Sequence, residues 1–92
     1  MSDTPDRDNA ASSLRHGADF PYDAPDAWWE GDTSVPPPPA RDWAHAAARG
    51  VLADMGDRSG FDDALSRLDE DVRAEIVESL AAIIRKARES SP

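Results

Sequence analysis

Asp69-Glu70-Asp71-Val72-Arg73-Ala74-Glu75-Ile76-Val77-Glu78-Ser79-Leu80-Ala81-Ala82-Ile83-Ile84-Arg85-Lys86-Ala87-Arg88-Glu89 is the stretch that decides the fold. Val72, Ile76, Val77, Leu80, Ile83, Ile84 and Ala87 recur at the three-, four- and seven-residue spacings of an amphipathic helix. At about 100° per residue they cover an arc less than half the circumference wide. Glu75, Glu78, Ala82, Arg85, Lys86 and Glu89 take the other side. Such a stripe needs a partner surface. Glu70 and Asp71 suit the positive N-terminal end of this helix, and Arg85, Lys86 and Arg88 suit its C-terminal end. Asp69 is the expected N-cap. Arg73 projects into the apolar arc, so the sequence predicts an ion pair for it, with Asp69, Asp54 or Asp57.

Two more helices precede it. Phe61, Ala64, Leu65 and Leu68 define a short one over about Gly60–Leu68, with Ser59 as N-cap and Asp62 as the acidic member of a capping box. Trp43, Ala47, Val51 and Met55 mark the apolar face of a helix over about Ala40–Met55, with Ala44 and Ala48 beside them. Gly56 suits a left-handed C-cap. The expected core sets Ile76, Leu80, Ile83 and Ile84 against Trp43, Val51, Phe61 and Leu65. The apolar flank left over on the long helix predicts a homodimer.

Upstream the composition changes. Pro36–Pro39 reads as a stiff polyproline II spacer. Residues 19–32 hold four of the chain's six aromatics (Phe20, Tyr22, Trp28, Trp29), five acids and no base. Pro21 and Pro25 keep this segment extended. It either packs its aromatics on its own domain or anchors in the groove of another protein. Residues 1–18 are polar and read as a disordered tail, with a helical turn around Asn9–Arg15 at most. The expected organisation is therefore a disordered tail (1–18), an extended acidic-aromatic arm with a polyproline spacer (19–39) and an all-α, three-helix domain (40–90).

Charge narrows the function. Nineteen acids against ten bases give a net charge of −9. That opposes direct binding to nucleic acid and favours a basic protein partner, or imitation of a polyanion. The helical domain's acids Asp57, Asp62, Asp63, Asp69, Glu70 and Asp71 gather at the two inter-helix junctions and form a candidate acidic ridge for that partner. Helix capping alone explains several of them. With no cysteine there is no disulfide framework. The N-terminus lacks the basic start and apolar run of a signal peptide, and no stretch approaches a membrane span, so a cytoplasmic location without membrane contact is expected.

The sequence carries no catalytic signature. His16 and His45 lie outside any zinc spacing, and His45 reads as a surface residue or a satisfied flank of its helix. Asp54–Asp63 resembles a calcium loop only in composition: a frame starting at Asp54 puts Gly56 and Arg58 where ligands belong. No phosphate loop or partnered serine nucleophile is present. The expectation is a binding module that is not an enzyme and holds no cofactor or metal. Its partner-binding residues are Phe20, Tyr22, Trp28 and Trp29 of the arm together with the acidic ridge. A structural or assembly protein is the alternative. A helix-turn-helix regulator is disfavoured, because Asp69, Glu70 and Asp71 would head its recognition helix and repel phosphate.

Asp42-Trp43-Ala44, Ala47-Ala48-Arg49-Gly50-Val51-Leu52-Ala53-Asp54 and Asp69-Glu70-Asp71-Val72-Arg73-Ala74-Glu75-Ile76-Val77 resemble small acidic proteins encoded in bacteriophages and prophages of proteobacteria. The resemblance covers residues 42–85, about half the chain. It implies a phage accessory protein in a bacterial cytoplasm, of the kind that inhibits a host defence protein, including anti-CRISPR proteins that imitate nucleic acid.

Overall fold

The computed structural model describes residues 4–31, 35–58 and 60–90, with side chains from Ala10 onward except that of Asp62. Within them the protein is all-α, with no strand. The helices are α1 (Thr4–Asp19), α2 (Asp26–Glu30), α3 (Trp43–Gly56), α4 (Phe61–Ser66) and α5 (Glu70–Ser90). No described helix is long and apolar enough to cross a membrane.

The centre is α3. It begins three residues later than expected because Asp42 caps it: Oδ1 of Asp42 accepts the His45 amide at 2.9 Å. The proline run lies outside any helix or strand, and a bend at Arg41–Asp42 leads from it into α3. One side of α3 presents Ala44, Ala48 and Leu52, and α5 answers with Val77 and Ala81. These five side chains are the buried core, with Tyr22, Met55, Leu65, Ile76, Leu80 and Ile84 packed around them. Alanine on the facing turns lets the two helices approach closely and leaves little volume for larger groups.

This core departs from the sequence expectation by a rotation. Trp43, Val51, Phe61 and Ile83 are exposed rather than central. The reason is α1. Residues 1–18 read as a disordered tail, yet Thr4–Asp19 is helical and lies against α3. A Cβ on Gly17 would come within 2.7 Å of the Arg49 carbonyl, and one on Gly50 within 2.9 Å of the Leu14 side chain. Gly17 thus lets backbone meet backbone, and Gly50 makes room for the Leu14 side chain. With α1 on one side of α3 and α5 on the other, the Trp43–Ala47–Val51 row falls between them and faces outward.

The junctions also differ in detail. Gly56 stays inside α3, which Asp57 closes with φ −74°. The left-handed glycine is Gly60, φ 94°, immediately before α4. Gly60, not Ser59, occupies the α4 N-cap, and Ser59 lies outside the described residues. The Arg73 amide donates to the Asp69 carbonyl at 2.9 Å, so Asp69 holds the N-cap position before α5 as expected. In the arm, α2 is a single turn closed by Gly31.

Gly17→Ala should destabilise the protein by about 1–3 kcal/mol in a denaturant melt, because the added carbon has only backbone to displace. Gly56→Ala meets nothing within 4 Å and has ordinary helical geometry. It should stabilise by about 0.5–1 kcal/mol. Equal effects at the two sites would contradict the close α1–α3 crossing.

Candidate protein-binding site

The site is built on two buried arginines that tie the arm to the helices. Arg49 sits on α3, 4% exposed. Its Nε donates to Asp23 Oδ1 at 2.8 Å, and its Nη1 donates to the Pro38 carbonyl at 2.8 Å. The proline run is therefore not free of hydrogen bonds: one of its carbonyls closes a buried cation. His45 stands one turn earlier, and of its two expected places it takes the satisfied flank, buried with both ring nitrogens partnered. Its Nδ1 accepts the Arg41 amide at 3.2 Å, which leaves Nε2 as the N–H facing Asp23 Oδ2 at 3.1 Å and Glu78 Oε2 at 3.7 Å. Arg41 also pairs with Glu78, and Arg85 donates to Asp42 Oδ2 at 2.8 Å. The Asp42 carboxyl is held below the usual carboxylate range, first by the His45 amide and then by Arg85.

Arg73, on α5, is the second tie. Its Nη2 pairs with Asp26 and its Nη1 donates to the Tyr22 carbonyl at 3.3 Å. Its guanidinium lies 5.9 Å from the Tyr22 ring centre. The expectation that Arg73 needs an ion pair holds, but the partner comes from the arm and not from Asp69, Asp54 or Asp57. Its buried Nε has no partner among the described residues.

These ties sort the four aromatics of the arm. Tyr22 donates its hydroxyl to the Leu65 carbonyl at 2.7 Å and packs on the core. Trp28 donates Nε1 to the Val35 carbonyl at 3.2 Å. Among the described residues Phe20 and Trp29 make no such bond, and they stand 51% and 40% exposed. They are two walls of a cleft of about 560 Å³ between the end of α1, the arm, the end of α3 and α4. Leu52, Ala53 and Leu65 supply its apolar lining, and His16, Asp57, Ser66 and Arg73 its polar groups. The His16 ring lies 5.1 Å from Phe20, and Trp29 meets Trp28 edge-on at 4.8 Å. Sequence reasoning missed His16, whose place follows only from α1 being a helix.

The acidic ridge is partly assembled. Asp57, Asp63, Asp69, Glu70 and Asp71 are exposed and in no ion pair among the described residues. The Asp62 side chain lies outside them. Glu70 is engaged within the chain, accepting the Asp26 amide at 2.8 Å, so it caps α2. With α4 only six residues long, about 9 Å separates its ends. Asp57 alone of these acids lines the aromatic cleft. No group of three or more candidate metal ligands occurs among the described residues. No protein-family model, curated protein or solved structure matches the chain.

Burial raises the Tyr22 hydroxyl above the ordinary phenol range, and Arg73 partly opposes this. A raised folded-state value means that the stabilising contribution is full below the ordinary range and is lost as pH rises through the raised value. Because the chain has one tyrosine, phenolate absorbance reads this group alone. The native titration should be displaced upward and return to the free-phenol position in urea. Asp23→Ala, which leaves Arg49 a buried cation without its carboxylate, should cost about 3–5 kcal/mol in a denaturant melt. Pairing it with Arg49→Met should recover much of that loss. A loss below about 0.5 kcal/mol for Asp23→Ala would show that the arm does not depend on the pair.

Proposed function

We propose that this protein is a non-catalytic protein-binding module that takes a basic, amphipathic segment of a partner protein into the Phe20–Trp29 cleft. One observation carries the reading. The chain ties down Tyr22 and Trp28 with its own carbonyls but leaves Phe20 and Trp29 open around an apolar lining. Exposed aromatics beside a pocket are the usual anchors of protein recognition. The charge favours a basic occupant: Asp57 borders the cleft, Asp63, Asp69 and Asp71 are exposed and in no ion pair among the described residues, and the chain carries −9 overall. That field speeds encounter with a cationic partner and repels nucleic acid.

The resemblance to small phage and prophage proteins supports a bacterial host protein with a basic groove as the partner, met in the cytoplasm. Inhibition is then the outcome, in the manner of an anti-CRISPR protein whose acidic residues stand in for phosphates. The exposed flank of α5 favours a second reading, a self-associating structural or assembly component.

The experiment is peptide selection. Random peptides displayed on phage and selected on the full chain should be enriched in Lys and Arg around one large apolar residue. Phe20→Ala with Trp29→Ala should weaken the selected peptides by at least about tenfold, with unchanged circular dichroism, and high salt should weaken wild-type binding. Undiminished binding by that variant would remove the cleft as the site. Loss confined to Asp63→Lys with Asp71→Lys would assign recognition to the acidic ridge instead.

A further inference from the structure

Helix α5 makes its core contact with Val77 and Ala81, which face α3. At about 100° per residue, Glu78 and Arg85 fall on one flank of that contact, and Leu80, Ile76, Ile83 and Val72 fall progressively further round on the other. The first flank is closed by the Arg41–Glu78 and Arg85–Asp42 pairs. The second is open. Ile83 is 64% exposed and Val72 also stands out, while α4 packs on α3 instead of covering them. On α3 the same side carries Trp43 and Val51, both exposed, and Leu14 of α1 continues it past Val51. Exposed apolar groups therefore lie on one side of three helices, with the Arg88 guanidinium 4.9 Å from the Trp43 ring centre.

We propose that this face is covered by a second copy of the chain, with the two α5 helices antiparallel. Two features of α5 select this occupant. The first is charge order. Asp69, Glu70, Asp71 and Glu75 lie at its start and Arg85, Lys86 and Arg88 at its end. Two copies of a strongly acidic protein repel unless their unlike ends are brought together, and antiparallel pairing does that at both ends at once. Parallel pairing stacks acid on acid. The second is spacing. Ile76, Leu80, Ile83 and Ala87 follow the four-three-four steps of a coiled-coil seam. With the dyad between Ala81 and Ala82, Leu80 of each copy faces Ile83 of the other, and Ile76 faces Ala87. Glu75 of each copy then lies within reach of Lys86 of the other. Every contact is made twice, as a two-fold interface requires. Lys86 is available for this role, since its pairing with Glu89 within the chain spans 4.0 Å between exposed side chains.

Sedimentation equilibrium of the full chain tests it. Wild type should show a monomer–dimer equilibrium. Ile83→Glu, at an exposed position, should be monomeric, with a melt matching that of wild type at concentrations where wild type is dissociated. Lys86→Glu and Glu75→Lys should each weaken the dimer by at least about tenfold, and the two together should restore most of the affinity. A wild-type monomer at high micromolar concentration overturns the proposal and leaves the face to a different partner. A dimer insensitive to Ile83→Glu overturns it by placing the contact elsewhere. Failure of the double charge exchange to restore affinity overturns the antiparallel arrangement.

Discussion

The structure depends on the pairing of Arg49 with Asp23. A guanidinium in the middle of a helix with three neighbours has no route to water, so it must be met by an opposite charge and by acceptors that fill its remaining donors. Asp23 supplies the charge and Pro38 the carbonyl, from two points on one connecting segment. Their positions fix where the segment leaves α1 and where it enters α3. His45 then finds Asp23 already in place, and Glu78 brings α5 into the same cluster. Charge pairing thus does for the arm what apolar burial does for α3 and α5, because small alanines at that contact leave little apolar area to bury.

The arm is consequently two things at once. Its inner residues, Pro21 to Ala24, behave as interior, and its outer aromatics behave as surface. The division follows the hydrogen bonds. Where a carbonyl is within reach of a ring's polar atom the ring is held, and Phe20, which has no polar atom, has only its neighbours His16 and the cleft. A recognition surface built this way is rigid at its base, which lowers the entropic cost of engaging a partner.

Most of the helical domain was legible in the sequence because its elements announce themselves by period and by caps: α5 by its stripe, α3 and α4 by shorter stripes. The orientation of α3 was not legible. Trp43 and Val51 outweigh alanines on any hydrophobic scale, yet the alanines face inward, since closeness of approach and not side-chain size decided the packing. Helix α1 was not legible for a related reason. Its contact rests on Gly17, a residue without a side chain, and on the single aliphatic Leu14, which together leave no hydrophobic period. The demand that Arg73 be paired was visible from its place in an apolar arc. The identity of Asp26 was not, because it lies 47 residues away and only the folded arm brings it near. The exposed pair Phe20 and Trp29 was legible as a candidate and could be separated from Tyr22 and Trp28 only by seeing which carbonyls came within reach.

The two arginine ties bear on how the native state fluctuates. Segments linked by proline runs usually lift off first, as low-energy local openings seen in hydrogen exchange. Here, lifting residues 20–26 would strand Arg49 and Arg73 together, each in an apolar setting without its carboxylate. That raises the free energy of local detachment above that of an untethered loop. Residues 20–26, which look like part of a linker in composition, are thereby coupled to α3 and α5, and their opening is raised in free energy by both buried cations at once.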